Sequence, residues 1–492
     1  MKDTICAIAT APGGAIGIVR LSGSDSFPIL RRICPRITEA TPPRTAVFTS
    51  ITVPGEPSET SSPSLLDEAL VTLFPAPHSY TGEDCAEISC HGSAYILHRV
   101  IELLVESGAR LAGPGEFTQR AYLNGKLDLS QAEAVADLIA ANSAASHRIA
   151  LSQLRGHFST QLHQLRDQLL HLTSLLELEL DFADHEELEF ADRTELLELA
   201  KAIDTRVCQL ADSFQTGNAL KNGIPVAIIG APNVGKSTLL NALVGEERAI
   251  VSDIQGTTRD AIEDTIQLGG ITFRFIDTAG IRHTDDVIER LGIQRTYAAI
   301  EKATIVLWLI DQQPTASEIA DIQARCEGKT LLIVKNKIDK ENHWSNHQSS
   351  IISHQSSVIN HQSSIINHQS SIISHQSSII SHQSSFINHQ SSIPLSAKHG
   401  IGLDDLRHRL IEAAPKTSDT DVIVTSARHY EALCRAHESL TRVVEGLNDL
   451  LPTDLIAEDL RLTLDALADI TGGAITPQDT LNNIFAHFCV GK

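Results

Sequence analysis

The fold is decided by the stretch Gly230-Ala231-Pro232-Asn233-Val234-Gly235-Lys236-Ser237. An apolar run over 226–230 leads into it, and the helix-forming run 238–243 follows. Strand, glycine loop and helix are the context of a phosphate-binding P-loop, because loop N–H groups then face a polyphosphate at the start of a helix. Lys236 is placed to reach the β- and γ-phosphates, and the Ser237 hydroxyl is placed to bind Mg²⁺. The stretch therefore predicts binding of a nucleoside triphosphate.

Bulk composition limits the remaining possibilities. The 492 residues indicate about three domains, and a hydrophobic content of 42% indicates a globular protein. The net charge of −22 argues against a generic nucleic-acid binder, which needs a basic surface. We see no signal or transit peptide and no apolar run long enough to cross a membrane, so we expect a cytoplasmic protein without a membrane span.

The composition and the spacing of apolar residues change along the chain. The first part is rich in glycine and proline, with short apolar runs at 16–19, 68–74 and 86–90 and one helix over 95–107, which indicates an α+β domain. Beyond it, leucines recur at helical spacing without proline, and Ser130-Gln-Ala-Glu133 has the spacing of a capping box. Two more helical runs follow the P-loop region. We predict a multidomain protein with an N-terminal α+β domain (1–125), a discontinuous all-α domain (126–222 and 416–492) and an inserted α/β P-loop domain (223–415).

A seven-residue repeat lies inside the inserted domain. Each unit has a histidine followed by Gln-Ser-Ser, at positions 347, 354, 361, 368, 375, 382 and 389. The isoleucine pairs are adjacent and do not form a coiled-coil seam, and serine and histidine are weak helix formers. We interpret residues 345–393 as a repeat expansion that forms a flexible loop, rather than as a metal-binding tract or a coiled coil.

Four ordered motifs identify the nucleotide as GTP. In Asn336-Lys337-Ile338-Asp339 the final carboxylate can accept hydrogen bonds from N1–H and the 2-amino group of guanine, a donor pair that adenine lacks. Ser396-Ala397-Lys398 fits the loop behind the base. In Asp277-Thr278-Ala279-Gly280 the aspartate can hold Mg²⁺ through water and the glycine amide can sense the γ-phosphate. Thr257-Thr258 supplies a switch threonine for Mg²⁺, so the set predicts a GTP hydrolase.

The residue that would orient the attacking water is not obvious. Ile281 follows the Asp277–Gly280 motif, where many small GTPases have a glutamine. Isoleucine cannot orient water. The nearby polar candidates are Arg259, Arg282, Asp285, Asp286 and Glu289, and spacing alone does not choose between them.

Recognisable motifs also lie outside the GTPase region. Together with the GTPase motifs they span nearly the whole chain apart from the repeat. They are Tyr80-Thr-Gly-Glu-Asp84, His91-Gly92, the run from Gly113-Pro-Gly-Glu to Asn124-Gly-Lys126, and Cys489-Val-Gly-Lys492. With these motifs the chain resembles the MnmE (TrmE) family of tRNA wobble-uridine modification GTPases. The alternative is an Era-like GTPase switch that binds RNA or assembles ribosomes without modification chemistry, and these motifs separate the two.

The resemblance implies a fold, a function and partners. It implies that the inserted α/β domain (223–415) is a Ras-like P-loop GTPase domain. It implies a homodimer whose N-terminal domain binds a tetrahydrofolate and mediates dimerisation. It implies a heterotetramer with an FAD-containing MnmG-type partner, with tRNA held largely through that partner. It further implies K⁺-activated GTP hydrolysis, coupled to adding a carboxymethylaminomethyl or aminomethyl group at carbon 5 of the wobble uridine.

The resemblance also assigns site residues. For a folate of the 5-formyltetrahydrofolate type it implies Arg20, Glu83, Lys126 and Lys492. For the ions it implies Ser237 and Thr258 as Mg²⁺ ligands and Asn233, Ser252, Ile254 and Thr257 as K⁺ ligands. Glu289 is the implied water-positioning residue, with Lys236 and Arg282 as further catalytic candidates. The predicted GTP contacts are Asn233, Val234, Gly235, Lys236, Ser237, Thr238, Ser252, Asp253, Ile254, Gln255, Gly256, Thr257, Thr258, Asp277, Thr278, Ala279, Gly280, Asn336, Lys337, Asp339, Ser396, Ala397 and Lys398.

Overall fold

The computed structural model divides into two compact units. The first unit combines Met1–Ala141, His147–Gly217 and Thr420–Lys492, and the second combines Asn142–Ser146 and Asn218–Asp419. Within the described part of the chain, no helix has both the length and the apolar character that a membrane crossing requires. The structure describes residues 3–57, 63–181, 193–246, 264–276, 297–340, 392–416, 422–473, 481, 484, 485, 488 and 491.

The N-terminal part of the first unit is a six-stranded sheet with three helices. Its strands are β1 (Ile5–Ile8), β2 (Ile16–Ser22), β3 (Val47–Pro57), β4 (Pro63–Phe74), β5 (Cys85–His91) and β6 (Arg110–Leu111), and its helices are α1 (Ser26–Ile33), α2 (Ala94–Glu106) and α3 (Glu116–Leu123). The strand order is β3-β4-β5-β2-β1-β6, antiparallel except for the parallel pair β1 and β6. Alternate side chains such as Val19 and Leu21 on β2 enter a core with Leu97 and Val100 of α2.

The rest of the first unit is helical. Its helices are α4 (Leu129–Ala140), most of α5 (Ala144–Leu154), α6 (His157–Asp181) and most of α7 (Arg193–Asn222), and then, after the second unit, α11 (Ala427–Asn448) and α12 (Thr453–Thr471). The first residues of α5 (144–146) and the last of α7 (218–222) belong to the second unit. Leucines at helical spacing on α6, including Leu169 and Leu172, share one buried core with Leu433 of α11 and Leu460 of α12. Helices that precede and follow the second unit in sequence therefore bury their apolar faces against one another.

The predicted capping box of α4 is wrong in its residues. The helix begins two residues earlier, with Asp128 as its N-cap: the Asp128 carboxylate accepts from the Gln131 N–H at 2.9 Å, and the Gln131 side chain accepts from the Asp128 N–H at 3.0 Å. Glu133 instead lies 2.8 Å from Arg428 and 2.9 Å from His429 of α11. Burial alone would raise the pKa of Glu133, but His429 and Arg428 outweigh it and lower the pKa to about 2. Glu133 therefore belongs to an ion pair between distant helices, although its spacing from Ser130 matches that of a capping box.

The second unit is an α/β domain. Its strands are β7 (Ile224–Gly230), β8 (Asp264–Leu268), β9 (Ile271–Phe275), β10 (Ile305–Ile310), β11 (Thr330–Lys335) and β12 (Ile393–Pro394), and its named helices are α8 (Lys236–Glu246), α9 (Ala316–Arg325) and α10 (Leu403–Ala413). The order is β12-β11-β10-β7-β9-β8, parallel except for the antiparallel β8. The P-loop and the two predicted base-contacting motifs follow β7, β11 and β12, so they meet at the carboxyl edge of the sheet.

The predicted fold class is confirmed: an α+β N-terminal domain, a discontinuous helical domain and an inserted α/β Ras-like domain. The apolar runs match β2, β4 and β5, and the predicted helix matches α2. Helices α1 and α3 were not predicted, because each has only eight residues and the periodic signal is short. Most of the histidine repeat lies outside the described residues.

Candidate functional site

The P-loop conformation depends on positive φ angles at three positions. Gly230 ends β7 with φ 148°, Asn233 has φ 60° and Gly235 has φ 105° just before α8. A Cβ at Gly230 would overlap the carbonyl oxygen of Leu309 on the neighbouring strand β10. Glycine is therefore required where the loop leaves the sheet, both for its φ angle and for the close approach of the two backbones.

Lys236, which is predicted to contact the nucleotide phosphates, folds back over the P-loop. Its Nζ donates to the carbonyl oxygens of Gly230 at 2.7 Å and Ala231 at 3.0 Å. Burial lowers the pKa of Lys236, because removing a cation from water disfavours its charged form. Ser237 and Thr238 follow in the first turn of α8, half-buried and exposed respectively. A lysine and two hydroxyl-bearing residues at a helix N-terminus are suited to a polyphosphate.

Asn336 joins the three loops at this edge. It is 5% exposed, and its Nδ2 donates to the carbonyl oxygen of Val234 in the P-loop at 2.8 Å. Its Oδ1 accepts from the N–H of Ala397 at 3.0 Å. One amide side chain thus fixes the separation between the P-loop and the loop predicted to back the base. The sequence analysis placed Asn336 at the site but did not predict these two bonds.

The carboxylate predicted to read the base is held in a polar setting. Asp339 Oδ1 accepts from the Ser396 hydroxyl at 2.6 Å, and His399 Nε2 lies 3.8 Å from Asp339 Oδ2. The Ser396 hydroxyl is the main reason that the pKa of Asp339 is lowered. Ala397 is buried and Lys398 is exposed. The carboxylate is therefore ionised near neutral pH and can accept hydrogen bonds.

Lys337 has φ 64°, and its Nζ lies 2.8 Å from the carboxylate of Asp311, which follows β10. The salt bridge with Lys337 lowers the pKa of Asp311. Sequence reasoning missed both Asp311 and His399. Only their positions could have indicated them: Asp311 follows a strand, and His399 follows a predicted base-contacting motif.

Several predicted nucleotide and catalytic residues lie outside the described residues. They are Ser252, Asp253, Ile254, Gln255, Gly256, Thr257, Thr258, Asp277, Thr278, Ala279, Gly280, Arg282 and Glu289. Their predicted roles stay predictions. The described part of the pocket comprises the P-loop, the Asn336–Asp339 motif and the Ser396–Lys398 loop.

The predicted folate residues lie in the first unit. Arg20 on β2 pairs directly with Glu87 on β5, with 2.8 Å between Nη2 and Oε1, and its Nη1 donates to the carbonyl oxygen of Gly491 at 3.3 Å. The Arg20 guanidinium also lies 5.7 Å from the ring centre of Tyr80 and 5.8 Å from that of Phe117. Gly491, the neighbour of Lys492, therefore contacts the arginine that is predicted to bind folate. Lys492 itself lies outside the described residues.

Glu83 and Lys126 occupy one neighbourhood with Arg20. The Glu83 carboxylate accepts from the hydroxyl of Ser22, two residues beyond Arg20 on β2, at 2.7 Å, and it lies 3.1 Å from Arg120. Residues two apart on a strand face the same side of a sheet. Lys126 Nζ donates to the carbonyl oxygen of Pro77 at 3.1 Å, and its stem lies beside Gly82.

The sequence analysis predicted charged groups here but not their protein partners, Glu87 and Arg120. Both pairs join residues far apart in sequence, and no spacing rule points to them. Arg120 is 2% exposed and also pairs with Glu116 and Asp3, so it has a structural role beneath Glu83.

Comparisons with known proteins agree with this organisation. Residues 129–489 match a family model described as the MnmE helical domain, and residues 4–126 match one described as the N-terminus of GTP-binding protein TrmE. A protein named tRNA modification GTPase MnmE from Phocaeicola vulgatus is 50% identical, with 100% of this chain and 99% of the relative covered. Proteins of the same name from Bacteroides fragilis and Porphyromonas gingivalis are 49% and 45% identical, with 100% of this chain covered in both and 100% and 98% of the relatives.

Proposed function

The chain belongs to the MnmE family of tRNA modification GTPases and is a GTP hydrolase, and from that premise we propose a K⁺-activated reaction coupled to one-carbon chemistry. GTP hydrolysis would drive the addition of an aminomethyl or carboxymethylaminomethyl group to carbon 5 of the tRNA wobble uridine. A tetrahydrofolate would supply the one-carbon unit. The observation that best supports the nucleotide part is Asn336, which bonds to both the P-loop and the loop that carries Ala397.

The residues present at the P-loop suit the two proposed cations. A serine hydroxyl in the first turn of α8 suits Mg²⁺, and the exposed amide side chain of Asn233 suits K⁺, since both cations prefer oxygen ligands. We propose Ser237 and Thr258 for Mg²⁺, and Asn233, Ser252, Ile254 and Thr257 for K⁺. The bound cations would supply positive charge beside the phosphates as negative charge develops there.

We predict that Glu289→Ala lowers the GTPase rate in K⁺ by at least about 100-fold, the scale of a lost positioning or acid–base group. Binding of GTP should be unchanged, because the base and phosphate contacts remain. The measurement is single-turnover hydrolysis in K⁺ and in Na⁺, with nucleotide affinity determined in parallel. Glu412→Ala on the surface of α10 is the matched control. K⁺ stimulation that survives in Glu289→Ala would show that another group, such as Arg282, positions the water.

The folate part of the proposal rests on the charges around Arg20. We propose that Arg20, Lys126 and Lys492 contact the anionic tail or ring carbonyl of the folate, and that Glu83 accepts from its pterin N–H groups. The exposed ring of Tyr80 beside the Arg20 guanidinium adds a surface suited to a flat heterocycle, whereas the Phe117 ring on the same guanidinium is buried.

Arg20→Gln is expected to weaken binding of 5-formyltetrahydrofolate by at least about tenfold, the cost of one charge-assisted hydrogen bond. Isothermal titration with the folate measures this loss, while GTP affinity should stay at the wild-type value. Arg31→Gln on α1 is the control, since Arg31 pairs only with the exposed Glu39 in the described structure. Equal folate affinities for Arg20→Gln and wild type would remove Arg20 from the site.

The proposal includes the partners and the compartment. A homodimer would join an FAD-containing partner in a heterotetramer in the cytoplasm. With a net charge of −22, this chain is poorly suited to hold tRNA alone, so the partner would supply most of the tRNA contacts. We propose that the domain boundaries of this chain lie at residues 125, 222 and 415.

A further inference from the structure

Three potential metal ligands meet between two helices of the first unit, outside the nucleotide motifs. Asp204 and Cys208 lie four residues apart on α7, and His437 lies on α11. One oxygen of Asp204, the sulfur of Cys208 and one ring nitrogen of His437 lie within 4.8 Å of one another. Residues four apart share a helix face, so α7 presents both of its ligand atoms to α11.

The contacts converge on a single nitrogen of His437. Its Nδ1 lies 2.6 Å from Asp204 Oδ1 and 3.1 Å from Cys208 Sγ. A ring nitrogen has either one proton or one lone pair. It can therefore make one strong hydrogen bond, and the second group has to share it. A cation in place of the shared proton would accept an electron pair from all three atoms.

The donor set and the scaffold suit a transition ion. Thiolate, imidazole and carboxylate are the ligands that Zn²⁺ takes in proteins, and bonds of about 2.0–2.3 Å place tetrahedral ligand atoms roughly 3.3–3.7 Å apart. A small opening of the present contacts reaches that spacing. The side chains of His437 and Asp204 are 44% and 23% exposed, so an ion can enter from solvent.

The helices on which these ligands stand are held by the shared core. Val207 and Leu210 of α7 pack in it with Leu433 and Leu440 of α11. Ligands on packed helices are positioned before the ion arrives.

We propose that Asp204, Cys208 and His437 bind one divalent transition ion of the zinc class, with water in the fourth position. Binding replaces the Cys208 thiol proton, which passes to solvent. Burial, with the carboxylates of Asp204 and Asp212, raises the pKa of that thiol, so without an ion the sulfur is protonated. The ion would join α7, which precedes most of the inserted domain, to α11, which follows it.

The test is a titration of the reduced, full-length protein with Co²⁺, which accepts the same ligands as Zn²⁺. Thiolate-to-cobalt charge transfer absorbs in the near ultraviolet, and the histidine repeat has no sulfur and cannot produce this band. We expect the band to saturate at one equivalent and to disappear on addition of Zn²⁺. Cys208→Ser should abolish it, whereas Cys326→Ser, which removes a buried thiol of the second unit, should keep it.

Two further variants keep the cysteine and test the other ligands. Asp204→Asn and His437→Asn should each weaken Co²⁺ binding by at least about tenfold. Mutating a residue that only hydrogen-bonds to a metal ligand already lowers metal affinity by about that factor. Circular dichroism of each variant verifies the helical content. A wild-type protein without the band in excess Co²⁺, or a folded Cys208→Ser variant that retains it, would overturn the proposal.

Discussion

Asp339→Asn is expected to lower the affinity for GTP by at least about 100-fold, because two hydrogen bonds to a charged acceptor are lost. The Ser396 hydroxyl donates to Asp339 Oδ1 at 2.6 Å, and His399 Nε2 lies 3.8 Å from Asp339 Oδ2. An asparagine in the same position would turn an NH₂ donor toward the N–H donors of guanine. Two facing donors repel, so the loss exceeds that of a deleted contact.

The same substitution should favour a different base. Xanthine carries a carbonyl where guanine carries its 2-amino group, and the asparagine NH₂ can donate to it. We therefore expect the variant to bind xanthosine triphosphate more tightly than GTP, as measured by competition against a fluorescent nucleotide. Asp404→Asn on α10, whose side chain is 88% exposed, should leave both affinities unchanged. A GTP affinity within threefold of wild type in Asp339→Asn would show that this carboxylate does not read the base.

Gly235→Ala is expected to reduce nucleotide binding by at least about 100-fold and to destabilise the second unit by about 1–3 kcal/mol, the cost of a side chain in a sparsely populated backbone region. Gly235 has φ 105°, and an added Cβ would overlap the amide nitrogen of Asn336. Asn336 cannot swing aside without cost, because it is buried and bonded to both Val234 and Ala397. One methyl group would therefore disturb together the P-loop and the loop that carries Ala397, which is predicted to back the base.

A matched glycine lies in the next helix. An added Cβ at Gly245 of α8 would meet no described atom within 4 Å apart from its own helix backbone, and the φ of Gly245 is not positive. Gly245→Ala should bind GTP like wild type and should be slightly more stable, since alanine favours a helix by up to about 1 kcal/mol. Thermal unfolding and nucleotide titration of the two variants give the comparison. Wild-type binding in Gly235→Ala would mean that the Asn336 contacts can rearrange freely.

The sequence predicted those parts of the site whose chemistry is local. The P-loop and the Asn336–Asp339 motif follow strands, and each was recognisable because a few adjacent residues must supply backbone amides, a lysine or a carboxylate. The fold class followed in the same way from glycine content, proline content and leucine spacing. These features are decided by neighbours along the chain.

The parts that sequence reasoning missed depend on residues brought together by the tertiary fold. Arg20 was assigned to a ligand, yet in the described part of the chain it pairs with Glu87, 67 positions away. Glu133 matched a helix cap, but its partners Arg428 and His429 lie almost 300 positions further on. Hydrogen bonds and ion pairs of this kind follow from packing and leave no periodic trace.

The Asp339–Ser396 hydrogen bond bears on how this gene can vary between strains. It joins residues 57 positions apart, and the histidine repeat lies between them. Closing a loop costs a free energy that grows only with the logarithm of its length, so one more seven-residue unit adds about 0.1 kcal/mol. Copying errors that add or remove whole units keep the reading frame and leave in place the carboxylate that is predicted to read the base. The number of repeats is therefore expected to drift under almost no selection from GTP binding.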